Sequence, residues 1–506
     1  MEIILIRFNL PEKEKECIDS VKKYTNLKRH KLTVYDNYPL QENLAVVWNR
    51  LIEESTEDII CLLNNDTVVE EGWTKMIEVL DEKVGAVGPV TNNCGGRQKN
   101  MPKGQVEEIN DLSGFCYLFR KEVWEEVGKF PEDMPFYGQE TVFNRKLEDR
   151  GYKLMVDRRV YIHHYKAQSY KKALEKKELT NIEQELGAFH YWNFINRLKK
   201  LRAKIPQGTK LAILGGGKCN QFPLHKGMEQ AINDFFGSNG LLLGADSNTQ
   251  ELKDFKPDIF ISSQTGGYKD NQLKLCKEAK EQGCKMILYF CDLRYPSMIV
   301  IPGLELFEEA FICNGRLKEW EKQYNLKAYY LPQASIQHPK PVEGKKSRVL
   351  FVGSIGKNKF HAGRKDLCEY LGVTVNNCSK AENRDKRLEI QNNSYGDYHS
   401  STFSLAISPD EPGYTSDRLY NIMGAGGCAL SFNPGKIPFE HGKHLLWFRT
   451  KEEAKKLLAT PKVLVDEIKE NAFEEVQKNH TYKDRLIEIL CNTHQFAEIK
   501  TNPEQI

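Results

Sequence analysis

Short β-branched and apolar runs alternate with helix-patterned segments along almost the whole chain, and that alternation restricts it to an α/β architecture. In the first part the runs predict strands at Ile3–Phe8, Lys31–Tyr35, Ile59–Leu63, Gly85–Pro89, Gly114–Arg120 and Leu154–Ile162. Helical periodicity fits Glu12–Tyr24, Leu44–Glu54, Trp73–Leu80 and Thr141–Arg150. From Ser169 to Lys204 strands give way to a Lys-, Glu- and Leu-rich stretch, which reads as a connecting helix with a solvated face; a basic membrane-surface or acceptor-docking helix is the alternative. After Pro206-Gln207-Gly208 a fresh series starts at Lys210 and recurs at Leu241–Ala245, Asp258–Ser262, Lys285–Phe290, Ala310–Cys313 and Ala328–Leu331. The Pro- and Lys-rich PQASIQHPKPVEGKKS then separates a last series from Arg348, through Val373–Val375, Thr402–Ile407, Cys428–Ser431 and Leu445–Phe448, ending in helices. At roughly 150 residues per domain, 506 residues allow about two to four domains. The pattern divides them into 1–170, a helical connector 171–205, an upstream lobe 206–340 and a final lobe with C-terminal helices 341–506.

Lys and Arg number 73 against 70 Asp and Glu, so the net charge of +3 excludes a global basic field for nucleic acid, while local clusters at Arg197–Lys204 and Lys345–Arg348 leave a patch open. The apolar fraction of 40% is enough to bury cores. Thirteen scattered cysteines, an odd number without a CxxC, predict reduced thiols in a cytoplasmic protein and argue against a disulfide framework or a zinc ribbon. MEIILIRFNL lacks the charged region and cleavage site of a secretory leader, and no run reaches the ~20 apolar residues that span a bilayer. Peripheral membrane attachment stays open.

Asp36 closes a strand in LTVYDNYP and Asp66 closes another in IICLLNNDTVV. Carboxylates at the C-terminal edges of strands sit where open α/β sheets bind ligands, although an Asp there also serves as an ordinary turn former. With IRFNLPEKEKECIDSV, YDNYPLQENLAVVWNRLIEES and LLNNDTVVEEGW in order, residues 1–170 resemble family 2 glycosyltransferases of the GT-A fold. The resemblance implies that Asp36 contacts the nucleotide base and that Asn64, Asn65 and Asp66 form the DxD-like donor motif. Asp66 would be its sole direct carboxylate to a divalent cation, Mn2+ or Mg2+, bridging the sugar-nucleotide diphosphate. A Lewis acid there stabilises the charge of the leaving diphosphate. SGFCYLFRKEVWEEVGKFPEDMPFYGQETVFNRKLEDRGYK resembles the acceptor half, with Gln139-Glu140 where the family has an acidic pair, and implies Glu140 as general base. His163-His164 stands where the family has a metal-binding His; strand alternation sends one of the two to the cleft, and His163 is the expected one. Trp73, Trp124 and Phe130 are expected in the core.

In the second half, Gly215-Gly216-Gly217 follows a strand, where a glycine run permits close backbone approach to a phosphate or merely a tight turn. SPDEPGYTSDRLYNIMGAGGCALSFNPGKIPFEHGKHLLWF resembles the C-terminal lobe of GT-B glycosyltransferases related to CgeB proteins, and implies two Rossmann-like lobes over 206–506. It points to Arg418 as the diphosphate ligand, with Thr415 and Ser416 as nearby hydroxyls, Asp417 as a helix cap, and Gly353, Ser354 and Lys357 facing the diphosphate. Asn421 stands where many relatives have a ribose-binding Glu. Asp292 and His225 are candidate acceptor-side bases of the upstream lobe.

These readings lead to an α/β chain with a GT-A domain followed by a GT-B fold, in which both halves transfer sugars from nucleotide-sugar donors to a growing glycan. The first site is expected to need a metal and to invert configuration. Two alternatives are a glycosyltransferase acting on modified nucleobases of viral DNA, and a GT-A enzyme whose GT-B half is a non-catalytic glycan-binding module.

Overall fold

A computed structural model describes residues 1–94, 98–99, 104–135, 138–165, 181–215, 223–244, 246–264, 268, 270–291, 301–341, 344–355, 363–378, 390, 394–408, 413–432 and 437–491. The chain forms two compact units: Met1–Leu198 with Asn233–Ser238, and Lys199–Ile232 with Asn239–Ile506. The division falls inside the helix Asn181–Arg202, a continuous element with Lys199, Lys200 and Arg202 in its last turn.

The first unit is built on one mixed sheet. Its strands are β1 (Glu2–Arg7), β2 (Lys31–Asp36), β3 (Ile59–Asn64), β4 (Thr67–Val69), β5 (Val84–Val90), β6 (Val106–Ile109), β7 (Cys116–Arg120) and β8 (Lys153–His164). They run in the order β2-β1-β3-β7-β5-β8-β4, with β6 on β8; β2, β1 and β3 are parallel, and β7 is antiparallel to both β3 and β5. The continuous apolar stretch IILI reflects burial on both faces. Ile4, Ile6, Ile60 and Leu62 pack under the helix Leu44–Glu54 with Phe130 and Phe143, whereas Ile3, Leu5, Cys61 and Leu63 face Cys17, Val21, Trp73 and Met76. Trp73, Trp124 and Phe130 are buried, as the sequence leads one to expect. The short strands β4 and β6 and the helix Lys121–Val127 carry too little periodicity to have been predicted.

The second unit holds two parallel sheets. Strands β9 (Leu211–Leu214), β10 (Gly240–Leu243), β11 (Ile259–Gln264), β12 (Lys285–Phe290), β13 (Glu309–Ile312) and β14 (Lys327–Tyr330) run β10-β9-β11-β12-β13-β14. Strands β15 (Val349–Gly353), β16 (Thr374–Asn377), β17 (Phe403–Ala406), β18 (Ala429–Phe432) and β19 (Leu446–Phe448) run β16-β15-β17-β18-β19. Both are Rossmann-like α/β layers in which the order reverses beside the first strand, the position at which open α/β sheets generally bind ligands, beyond the strand C-termini. The last helices return to the segment joining the lobes: Ser335 bridges Thr481, and the fully buried Arg485 guanidinium donates to the Pro332 and Gln333 carbonyls at 2.9 and 3.0 Å. Every described cysteine is buried and free, and burial pushes thiols such as Cys17 up to about 12. No helix among the described residues is long and apolar enough to cross a membrane.

Candidate active sites

In the first unit the ends of β1, β2 and β3 bring the predicted donor residues together. Asp36 ends β2 with its side chain half exposed, its Oδ2 3.5 Å from Arg7 Nη1 at the end of β1, and its Oδ1 accepting from the Tyr38 amide at 3.2 Å. Asn64 ends β3, its amide donating to Phe115 O at 2.9 Å and its carbonyl accepting from Thr67 Oγ1 at 2.7 Å. Asn65 and Asp66 are buried in the turn that follows. The Tyr165 amide donates to Asp66 O at 2.9 Å, tying the turn to the end of β8.

His163, the expected ligand, is not the ring that lies beside Asp66. Antiparallel pairing of β4 with β8 sets His163 opposite Val68 and His164 opposite Thr67, and alternation along β8 turns His164, not His163, toward Asp66. His164 Nε2 lies 3.3 Å from Asp66 Oδ1, while the His163 ring sits 3.5 Å from the Tyr161 hydroxyl and edge-on to Tyr165. His164 Nδ1 is 2.9 Å from the Asn93 carbonyl, and the ring stacks on Phe115 with centroids 5.0 Å apart. A carbonyl acceptor at Nδ1 makes that nitrogen the donor and turns Nε2 toward Asp66. That atom is buried and makes no hydrogen bond.

A buried imidazole nitrogen and a carboxylate oxygen turned toward each other are both suitable ligand atoms, so the residues present fit a divalent metal. Among the described residues no third His, Cys, Asp or Glu joins them. The rest of the coordination shell would therefore come from backbone, water or the donor's phosphates, as is usual for Mg2+-type ions.

Glu140 opens the helix Gln139–Asp149. Gln139 is buried and its side-chain amide donates to the Pro135 carbonyl, which leaves Glu140 as the acidic side chain of the pair. Gly114 lies against it: a Cβ there would stand 3.2, 3.3 and 3.4 Å from Glu140 Cγ, Cδ and Cβ. Burial, with the nearby Asp111 charge, pushes the Glu140 carboxyl above its ordinary value, against the backbone amides of Glu140 and Gly114 that pull it down. Segment Gly114–Phe115 thus touches Glu140 through Gly114, His164 through the Phe115 ring and Asn64 through the Phe115 carbonyl.

In the final lobe, Gly353 ends β15 at the point where strand order reverses, and its φ of +154° leaves room that a Cβ would lose to the Arg418 guanidinium, 2.6 Å away. Arg418 donates from Nε to Val352 O at 2.8 Å and from Nη1 to Ile407 O at 3.2 Å. Sequence reasoning missed Arg364, which donates from Nη1 to Ser354 O at 3.1 Å and from Nη2 to Ile407 O at 3.4 Å. Its Nε is buried without a partner. Burial, then the Arg418 charge, lowers the Arg364 guanidinium to about 10. The signal that would have found it is the Gly363-Arg364 pair opening the helix after a glycine-ended strand.

Ser416 is the N-cap of the helix Asp417–Gly424 but makes no side-chain cap bond, and Asp417 is the first helical residue, so the capping expectation for Asp417 is corrected. Thr415 Oγ1 and Asn421 Oδ1 are buried without hydrogen bonds; Asn421 Nδ2 lies 3.5 Å from Asp417 Oδ2. In the upstream lobe a Cβ at Gly215 would collide with the buried His225 ring, whose pKa burial lowers. Asp292, Lys357, Gly216 and Gly217 lie outside the described residues.

A family described as glycosyl transferase-like matches residues 377–491, within the final lobe. No curated protein matches the chain. Among solved structures, the chain is similar to GalNAc-T7 with UDP, GalNAc and Mn2+ at 11% identity and a TM-score of 0.28, covering 32% of this chain and 43% of that one. It is also similar to S. aureus TarS 1-349, alone and in complex with UDP, at 14% identity and a TM-score of 0.26, covering 34% of this chain and 62% of that one. The chain thus spans less than two thirds of each of these proteins.

Proposed function

We propose that the chain is a bifunctional glycosyltransferase, with a metal-dependent site in the first unit and a metal-independent site in the second, adding sugars from nucleotide donors to a growing glycan. The observation that carries the first half is the buried, unbonded His164 Nε2 facing Asp66, held by the same Gly114–Phe115 segment that packs on Glu140. Asp36 reads the base, Asn64 and Asn65 shape the donor turn, and Asp66 with His164 would hold Mn2+ or Mg2+. The cation supplies neutralisation of charge on the leaving diphosphate. Glu140 takes the proton of an acceptor hydroxyl as its oxygen bonds to the anomeric carbon. The bond from that carbon to the diphosphate oxygen breaks, and the nucleoside diphosphate leaves with the electron pair. A single base and in-line attack invert the anomeric configuration. The upward push on the Glu140 carboxyl suits this role, because a stronger base accepts the proton with more driving force.

In the second unit Arg418 and Arg364 hold the donor diphosphate beside Gly353 and Ser354, with Thr415, Ser416 and Asn421 available to the phosphates and ribose. Neither guanidinium has a carboxylate partner among the described residues; both are held by backbone carbonyls. The test is a nucleotide-sugar panel with Mn2+, read by mass spectrometry, on the wild type, Asp66→Ala and Glu140→Gln. Undiminished transfer by both variants would sink the first assignment.

A second reading, favoured by Asn421 where relatives have a ribose-binding Glu, makes the final lobe a glycan-binding module. Donor hydrolysis by the Asp66→Ala chain in EDTA counts against it.

A further inference from the structure

We propose that Glu14 is a positioning residue of the first donor site, holding the base-reading end of β2 and the cation-binding turn after β3 in fixed relation. The proposal rests on the glycosyltransferase reading of that site. The segment PEKEKEC offers Glu12, Glu14 and Glu16 to the helix Pro11–Tyr24, but only Glu14 falls on the inner face with Cys17, Ser20 and Val21, and it is 3% exposed. A carboxylate buried to that degree persists only when its lone pairs are taken up by donors.

Here the donors belong to two different parts of the site. Oε2 accepts from Arg7 Nε at 3.0 Å, and Arg7 Nη1 reaches Asp36 Oδ2 at 3.5 Å. Oε1 accepts from Asn65 Nδ2 at 3.1 Å, next to Asp66, and from the Phe8 and Leu10 amides at 2.8 and 3.0 Å. Those two amides fold the loop around Asn9, whose φ of 58° is left-handed, and the Phe8 ring meets Tyr38 edge-on with centroids 5.8 Å apart. One carboxylate therefore governs Asp36 through Arg7, the Asp36–Tyr38 loop through Phe8, and the Asp66 turn through Asn65.

The rest of the helix face repeats the pattern for the same turn. Cys17 Sγ lies 3.5 Å from Asn64 O, and Ser20 Oγ accepts from the Val69 amide at 3.1 Å. Among the described residues of this helix, Glu14 is the one linked through a hydrogen bond to Arg7 and so to Asp36 at the end of β2. A residue that merely plugged the core would be served as well by an apolar side chain, since a buried ion pair gives little net stability over one.

The test is isothermal titration of the full chain with UDP, GDP, TDP and ADP, in Mn2+ and, as the baseline for the metal-independent second site, in EDTA. Mn2+ is also titrated alone. Glu14→Gln keeps the shape but loses the charge and replaces an acceptor with a donor. Outer-shell partners of metal ligands typically contribute about 10- to 100-fold in affinity, so Glu14→Gln is expected to weaken Mn2+ and the Mn2+-dependent nucleotide each by about ten-fold. Arg7→Met, at a half-exposed position that tolerates change, is expected to weaken the nucleotide and leave Mn2+ unchanged. The two substitutions are expected to be non-additive for the nucleotide, because they interrupt one connection. A structural defect alone would lower the number of binding sites and leave both constants where they are.

Unchanged constants in a folded Glu14→Gln chain overturn the proposal while the donor-site reading stands. Should Glu14→Gln not fold, unchanged nucleotide affinity in Arg7→Met overturns it. A wild type that binds none of the four nucleotides in Mn2+ overturns the donor-site reading and the proposal together.

Discussion

Gly114→Ala is the sharpest perturbation of the first site, because the three atoms nearest the added methyl all belong to the side chain proposed as base. A Cβ at this position would stand 3.2 to 3.4 Å from three carbons of Glu140, and the backbone there is not left-handed, so alanine is conformationally permitted. Carbon atoms rest at about 3.5–4.0 Å, so Glu140 must retreat by roughly half an ångström. A displacement of about 1 Å in a catalytic group costs about 100-fold, and half of it predicts a fall in kcat of about ten-fold, or about 1.4 kcal/mol in the barrier. Folding stability should hardly change: Gly→Ala contributes about 0.4–1 kcal/mol through the unfolded chain, which offsets overpacking of similar size. Gly208→Ala, with nothing within 4 Å of the new methyl, is the control: it should leave kcat unchanged and raise stability by about 0.4–1 kcal/mol. The assay is sugar transfer under saturating donor, paired with a thermal melt. A Gly114→Ala protein that melts like the wild type and keeps its full kcat would refute the contact between Gly114 and the base as a determinant of rate.

His164→Ala should raise the Mn2+ concentration needed for half-maximal activity by about ten-fold or more, whereas His163→Ala should not; equal effects would refute the assignment of His164, and reversed effects would mean that His163 is the ligand. The acid limb of the kcat/KM profile should lie above the ordinary carboxylate range, since Glu140 works deprotonated and burial raises its pKa; a limb at or below that range would contradict its assignment. Arg364→Gln and Arg418→Gln should each weaken nucleotide binding in EDTA by about ten-fold or more, measured by calorimetry, with Mn2+-dependent binding at the first site untouched. Glu488, 6% exposed beside Arg485, is pushed up to about 7 by burial. Its native form holds a proton that the unfolded chain gives up at lower pH, so stability should fall as pH rises from about 4.5 to about 7, by a few kcal/mol at most. Glu488→Gln should flatten that slope in denaturant titrations, and an unchanged slope would assign it to other groups.

The strand series was legible because parallel strands buried on both faces are continuous apolar runs, as in Ile3–Ile6 and Lys285–Phe290. Helix Leu44–Glu54 was legible to the residue from its periodicity, and the structure adds its cap, Asn43, accepting from the Ala45 amide. Strand β4 spans only three residues and owes its existence to pairing with β8, a distant partner that no local pattern reveals. The same pairing decides which histidine faces Asp66, and no local pattern distinguishes the two rings. Glu14 was available from helical periodicity alone, since it shares a face with Cys17 and Val21, but a run of alternating Lys and Glu reads as a solvated helix surface. Arg364 stayed hidden because its significance depends on the convergence of two guanidiniums at one sheet edge.

The two proposed donor sites answer one electrostatic demand in different ways. Each must meet a diphosphate, which gains charge as the sugar leaves. In the first, Asp66 and His164 face each other at the proposed donor turn, and a divalent cation held there would supply the positive charge that meets the phosphates. In the second, Arg364 and Arg418 would carry the positive charge themselves; both are held by backbone carbonyls, and burial with the Arg418 charge lowers the Arg364 guanidinium to about 10. An anion bound beside them would offset the cost of that burial. The proposed division lets one site recruit its positive charge with a cation while the other carries it on arginines. It also means that chelation and salt should separate the sites: EDTA silences the first alone, and rising ionic strength weakens chiefly the second, as far as burial of the pair lets ions screen it.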